Sequence, residues 1–324
     1  NYNSSANSDD GSCYFDGCID DGSQYVGIPG WWNSEKTKKW HDFTYDINNP
    51  LSNHLILRQN KIINYLRELN LPKDSKILEL GCGGGQTAIK ICEMGYKYVG
   101  MDISKHLCDE TERKIKEYVN LGKAEVINQS IEKEYPYPDS EFDACIVIGA
   151  SQYVGDLEFY FKEIKRSLKK DSYFLIAQAN MYPLFAIQSF RLFVRNILYK
   201  LCDQEFWISA SFKSMLFETK FGNYFRKYEN SKFMNSSFMT EGEQNLKFAI
   251  KKRLYSRSRL KKIFNLNGFE VSKETGATFF WPKKNYLYWF WFSLDLILQK
   301  LLDFRIFPFL MNVSDNIIFI VKKK

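Results

Sequence analysis

The stretch KILELGCGGGQTAIKICEMGYKYVGMDIS, residues 76–104, puts four glycines into five positions between two apolar runs. The first run reads as a buried strand over 76–80, the pattern after the glycines as a helix over 86–94, and the next run as a strand over 97–101. Glycine has no Cβ and tolerates left-handed backbone, so a glycine run between strand and helix gives a sharp turn that another group can approach closely. A tight turn alone does not require so many. Two acids flank it: Glu79 stands two residues before the first glycine, and Asp102 ends the second strand. The pattern predicts a ligand site at the carboxyl edge of a sheet, with a carboxylate placed to accept from the paired hydroxyls of a ribose.

Outward from that stretch the alternation continues. Leu55, Ile56, Ile62, Ile63, Leu66 and Leu69 recur near helical spacing, and Leu71-Pro72 closes that run. After the first two strands come a helix over 105–120, strands over 124–128 and 143–148, a helix over 156–169 and a strand over 173–178. Strands alternating with helices predict an α/β fold with a doubly wound, mostly parallel sheet. After Ala179 the rhythm breaks for about 75 residues. Residues 255–276 then read as a helix, a stop at Gly268 and a strand, and 314–324 as a final strand. The organisation expected is a polar tail or loop over 1–30, an N-terminal extension of helices leading into the core over 31–179, an inserted helical cap over 180–254, and the end of the core over 255–324, interrupted by an aromatic insertion at 277–312.

A nucleoside ligand fits more than one cofactor class. The nicotinamide fingerprint is GxGxxG, whereas the spacing from Gly81 is GxGxG with Gln86 in the sixth place. Glu79 also suits a cationic amino group better than a pyrophosphate. The motifs ILELGCGGG, VGMDIS, YPYPDSEFDACIVIGASQYV and RSLKKDSYFLIAQAN follow in order over roughly residues 75–180, with a weaker match in RSRLKKIFNLNGFEV. In these the chain resembles the class I S-adenosylmethionine-dependent methyltransferases, particularly the branch that includes quinone-biosynthesis methyltransferases. The resemblance implies a Rossmann-like sheet of seven strands whose last strand is antiparallel, with S-adenosylmethionine as cofactor. It implies that Gly81, Gly83 and Gly85 approach the methionine and ribose parts, with Glu79 near the amino group. Asp102 would hold the ribose hydroxyls, Ile103 would flank adenine, and Ser130 and Ile131 would line its other side. Many relatives carry an acid near the Ser130 position, where this chain reads NQSIEKEY. Gly149 to Tyr153, including Gln152, would floor the place where donor and acceptor meet.

Methyl transfer from a sulfonium is an in-line displacement in which charge on the donor disappears, so alignment and exclusion of water supply much of the rate. A base helps a hydroxyl acceptor, and the histidines are His41, His54 and His106. His41 and Tyr45 lie in KKWHDFTYD, ahead of the first helix, in a region that in similar enzymes folds over the cofactor. They are the candidates for base and pocket residue. His106, at a helix start, reads as a polar cap, and His54 as structural. The fourth strand ends in IGASQYV, not in the Asn/Asp-Pro-Pro-aromatic pattern associated with nucleic-acid amino groups, which argues against a nucleic-acid substrate.

Composition points to the acceptor's side. Of 324 residues, 17% are aromatic, including 27 Phe and 20 Tyr. Residues 1–179 carry 21 Lys/Arg against 27 Asp/Glu, while 180–324 carry 24 against 11, so the basic half is also the one with the aromatic segments 181–202 and 279–310. Asp295, Gln299 and Asp303 form one polar stripe at helical spacing, which makes 286–302 too interrupted for a membrane span. A lid over an apolar pocket, a helix lying on an anionic membrane, or plain core all fit. The seven cysteines show no zinc-ligand spacing, and no metal site is expected. Free thiols in a reducing cytoplasmic setting are the expectation, with a Cys13–Cys18 disulfide as the alternative, and no signal-peptide pattern is read at this start. The reading is a methyltransferase acting on a small, hydrophobic or lipid-linked acceptor, most simply at oxygen. Its rivals are a noncatalytic cofactor-binding or membrane scaffold and a nicotinamide-dependent reductase.

Overall fold

The computed structural model describes residues 32–33, 53–184, 187, 207–209, 251–253, 255–280 and 288–324. The chain divides into two compact units. One holds 32–33 and a short antiparallel pair, β6 (Trp207–Ser209) and β7 (Lys251–Arg253); all other described residues belong to the second. That second unit begins with α1 (Asn53–Glu68), β1 (Lys76–Leu80), α2 (Gln86–Glu93), β2 (Lys97–Asp102), α3 (Lys105–Lys114), α4 (Lys116–Asn120), β3 (Ala124–Asn128), β4 (Phe142–Ile148), α5 (Leu157–Ser167) and β5 (Leu168–Ala179). It ends with α6 (Arg257–Leu266), β8 (Phe269–Ala277), α7 (Tyr288–Asp303), a 3₁₀ segment (Pro308–Val313) and β9 (Asn316–Lys323).

Seven strands make one sheet in the order β3-β2-β1-β4-β5-β9-β8. The pairs from β3 to β5 are parallel, and β9 runs antiparallel to both β5 and β8. This is the doubly wound, Rossmann-like sheet expected from the sequence. The inner strands β1, β4 and β9 are near-continuous buried runs because both faces are covered. Successive residues face opposite layers. Leu78, Leu80, Val147, Ile176 and Phe319 pack with α5 and α6, while Ile77, Ile146, Leu175 and Ile318 pack with α1 and α2. Part of the aromatic excess lies in the first layer, where Phe161, Phe174, Phe264 and Phe319 meet edge to face with centroids 5.2–6.4 Å apart.

Local chemistry moves several boundaries. The helix expected over 105–120 breaks at Ile115, whose backbone leaves the helical region. Its N-cap is Ser104, whose Oγ accepts from Leu107 N–H at 3.4 Å, so the capping role read for His106 belongs to Ser104. Asp156 caps α5 by accepting from Phe159 N–H at 3.0 Å, which starts that helix one residue later. The insertion after β8 contains α7 over a small core of Phe279, Phe280, Leu302 and Leu310. Among the described residues no helix is long and apolar enough to cross a membrane. Cys82, Cys92, Cys108 and Cys145 are buried free thiols; Cys13, Cys18 and Cys202 lie outside the described residues.

Candidate functional site

The parallel strands all end on one edge of the sheet, and the glycine turn sits there between β1 and α2. Gly81, Gly83 and Gly85 have φ of 74°, 55° and 81°, the left-handed region in which a side chain is strained. A Cβ on Gly81 would also lie 2.3 Å from Ala150 Cβ, so the turn is packed directly against the residue that follows the β4 exit.

Hydrogen bonds fix the turn from two sides. The N–H groups of Gly81 and Cys82 donate to Met101 C=O at 2.7 and 3.1 Å, Gly83 N–H donates to Asp102 Oδ2 at 2.9 Å, and Gly85 N–H donates to Cys82 C=O at 3.3 Å. From α3, Thr111 Oγ1 donates to Gly83 C=O at 2.7 Å and Lys114 Nζ to Gly84 C=O at 2.6 Å. With these N–H groups engaged inside the fold, few remain for a pyrophosphate, which is bound chiefly by such donors. Asp102 is buried and also accepts from Ser104 N–H at 2.9 Å. Burial raises its pKa, and the N–H groups of Ser104, Gly83 and Ile103 oppose that rise. Its orientation at the end of β2 is thus held before any ligand arrives.

Glu79 sits at the inner side of the turn, near the end of β1. It is buried, and its Oε2 accepts from Tyr98 O–H at 2.7 Å. Burial pushes its pKa up to about 8, against the hydrogen bonds from Tyr98 and Thr87; the charge of Asp102 adds to the rise. Gly100 makes this bond possible: a Cβ there would lie 2.5 Å from the Tyr98 hydroxyl.

Ile103 follows β2, and Ser130 and Ile131 follow the neighbouring β3; all three are half-buried. Ser130 Oγ accepts from Glu132 N–H at 3.2 Å. Asn128, which the sequence reading passed over, ties the two strand ends together by donating to Asp102 C=O at 3.0 Å. At the end of β4, Gly149 has φ 75° and its N–H donates to Ala177 C=O at 2.9 Å. The 3₁₀ turn Ser151–Tyr153 follows, with Ser151 hydrogen-bonded to Gln178, Gln152 buried with no partner at Oε1 among the described residues, and Tyr153 half-buried. His41 and Tyr45 lie outside the described residues.

Arg58, which the sequence reading missed, completes this edge. It lies in α1 at 9% exposure, and its Nη1 donates to Asn316 Oδ1 at 3.1 Å, at the start of β9. Both Nη1 and Nη2 sit 3.1 Å from where a Cβ on Gly149 would be. Among the described residues Nε has no partner, and no carboxylate pairs with the guanidinium. Asn316 in turn donates to Asp315 Oδ2 at 3.0 Å. A guanidinium offers five N–H donors, and a buried cation without an anion is costly. The signal was in the sequence: Arg58 stands at i−4 and i−8 from Ile62 and Leu66, both fully buried, so it occupies the inward face of α1.

A groove of about 970 Å³, lined by residues that include Lys61, Tyr65, Glu274 and Asp303, shares no lining residue with the glycine turn or Asp102. Among the described residues there is no cluster of groups fit to hold a metal ion.

Residues 78–176 match the model of a family described as a methyltransferase domain. Over 153 residues the chain is 29% identical to the ubiquinone biosynthesis O-methyltransferase of Pelagibacter ubique (strain HTCC1062), covering 46% of this chain and 60% of that protein. It is 29% identical over 112 residues to the sterol 4-C-methyltransferase strm-1 of Caenorhabditis elegans, covering 34% of this chain and 32% of that one. The chain thus spans less than two thirds of these relatives. Among solved structures, a chain from the complex between the Haloferax volcanii Trm112 methyltransferase activator and a methyltransferase shares the fold at a TM-score of 0.52 and 11% identity, covering 90% of this chain and 96% of that one.

Proposed function

We infer that this protein, whose residues 78–176 match the model of a methyltransferase domain, is a class I S-adenosylmethionine-dependent methyltransferase that transfers a methyl group to a small, hydrophobic or lipid-linked acceptor, at oxygen. One observation supports the donor half: the glycine turn is bound to the carboxylate of Asp102 through Gly83 N–H at 2.9 Å, so the group proposed to accept the ribose hydroxyls stands beside a glycine-rich backbone. The guanidinium of Arg58 bears on the fit. S-adenosylmethionine carries a carboxylate, and Arg58 supplies a buried cation that no carboxylate among the described residues pairs with, beside Gly149, whose neighbour Ala150 touches the turn.

When bound, the cofactor supplies an electrophilic methyl on its sulfonium. Asp102 would hold the ribose hydroxyls, with Ile103, Ser130 and Ile131 around adenine. Gly81, Gly83 and Gly85 would let the methionine part lie on the backbone, Arg58 would hold its carboxylate, and Glu79, once ionised, its amino group. Gly149, Gln152 and Tyr153 would line the meeting place, where burial excludes water from the displacement. His41 is the residue proposed to take the acceptor's proton or orient it, and Tyr45 is proposed as a pocket residue. The oxygen assignment is supported by the likeness to the O-methyltransferase, and a small apolar acceptor by both relatives. The setting inferred is the cytoplasm, at an anionic membrane surface, with nucleic acid not a substrate.

The decisive experiment titrates S-adenosylhomocysteine and NADH against the wild type and Asp102→Ala, then follows S-adenosylhomocysteine release with a mixture of phenolic and quinol acceptors. S-adenosylhomocysteine should bind and NADH should not, and the substitution should weaken binding by ~1–3 kcal/mol, as for a charged hydrogen-bonding group. Unchanged affinity in the variant would remove the ribose assignment. Tight binding with no turnover on any acceptor would favour the noncatalytic scaffold.

A further inference from the structure

Surface helices turn their apolar stripe inward and their polar side to water. Over part of its surface α7 does the reverse. Its polar stripe faces the protein: Asp295 Oδ1 accepts from Phe279 and Phe280 N–H at 2.5 and 2.9 Å, Gln299 Oε1 accepts from Thr278 N–H at 3.1 Å, and Asp303 pairs with Lys61 at 2.6 Å. Outward stand Phe290, Leu296 and Ile297, and the chain continues beyond the helix with exposed Phe304, Ile306 and Phe309. Phe304 is 77% exposed and Phe309 62%, values that a core or lid contact would lower. Exposed apolar residues scattered singly need no explanation, but a run of this kind marks a contact surface.

The charges within the patch select the occupant. Lys300 and Arg305 are exposed between the apolar residues, and the patch's exposed acid, Asp303, is engaged by Lys61. A second copy meeting this face across a two-fold axis would bring like charges together. An anionic bilayer neutralises them while its interface takes up the aromatic rings. At 16 residues α7 lies along such an interface and does not span it.

We propose that the outer face of α7 and the turn after it, with Phe304 and Phe309 at its tip, form a docking surface for an anionic lipid membrane. This rests on the membrane association inferred above and names the part of the protein that makes it. The surface delivers the domain to the phase where a lipid-linked acceptor resides.

The test is co-sedimentation with phosphatidylcholine vesicles, with and without phosphatidylglycerol, at low and high salt. It compares the wild type, the double variant Phe304→Ser/Phe309→Ser, and Arg305→Glu, with S-adenosylhomocysteine affinity as the check on folding. The wild type should bind phosphatidylglycerol vesicles in a salt-sensitive way. The double variant should lose at least tenfold in vesicle affinity and Arg305→Glu several-fold, both keeping wild-type affinity for S-adenosylhomocysteine. Equal binding by wild type and double variant would overturn the surface assignment and leave membrane association standing. No binding of the wild type to either vesicle would overturn both. A wild-type dimer in sedimentation velocity that the double variant dissolves would assign the face to self-association and overturn the proposal.

Discussion

Glu79 is an acid whose own surroundings oppose its ionisation. Burial raises its pKa from an ordinary 4.5 to about 8, so between those values the native state keeps a proton that the unfolded chain has lost. Its contribution to stability is therefore complete below about 4.5 and lost as pH rises through about 8. Within that window the slope from this group is at most about 1.4 kcal/mol per pH unit. Urea unfolding from pH 5 to 8 should show wild-type stability falling, and Glu79→Gln, which carries no charge to bury, should flatten the fall. Parallel curves for the two proteins would mean that Glu79 ionises freely in the native state. Arg58 makes the complementary case, a buried guanidinium beside Gly149. Arg58→Met should lower affinity for S-adenosylhomocysteine at least tenfold, in line with a charged hydrogen bond, and leave affinity for 5′-methylthioadenosine, which lacks the carboxylate, unchanged. Equal losses for both ligands would make Arg58 a strut between α1 and β9.

At the scale of elements, the polar stripe of α7 acts as a cap for the end of β8. The N–H groups of Thr278, Phe279 and Phe280 emerge from the strand where Thr278 has φ 62° and the chain leaves the ladder. Buried donors there need acceptors, and Asp295 and Gln299 supply them. Asp295→Ala would leave two buried N–H groups unsatisfied and should cost about 1–3 kcal/mol, read as a lower urea midpoint at unchanged slope. Asp295→Asn keeps an acceptor and should cost less. If both variants melt with the wild type, α7 is not anchored through this residue. The same anchoring explains why the helix shows apolar residues to the outside: its polar positions are already used by the strand end.

For the whole molecule, the division into two units has a thermodynamic consequence. The glycine turn, Asp102 and Arg58 all belong to the unit that contains the seven-stranded sheet. A ligand bound there stabilises that unit by about 2.7 kcal/mol at a hundredfold excess over Kd. Calorimetry with saturating S-adenosylhomocysteine should therefore move the transition of the sheet-bearing unit upward by several degrees. A separately melting first unit should stay where it is. A shift of all transitions together would show that the two units unfold as one cooperative body, and no shift at all would contradict the donor site.

The sequence by itself determined the sheet and most of the turn. Unbroken apolar runs bounded by glycines leave few alternatives to buried parallel strands, and Gly81 to Gly85 with Asp102 announce a ligand edge because local backbone freedom and spacing are written in adjacent residues. Contacts between distant segments were not legible in that way. Arg58 meets Gly149 and Asn316 across 91 and 258 residues of chain, and Glu79 turns to Tyr98 because Gly100, on the neighbouring strand, leaves room for the hydroxyl. The stripe Asp295, Gln299 and Asp303 was visible as a pattern, but a pattern of period 3.6 says only that two faces differ. Which face turns inward depended on where β8 ends and which N–H groups it leaves unpaired, and only tertiary structure brings those groups to the helix.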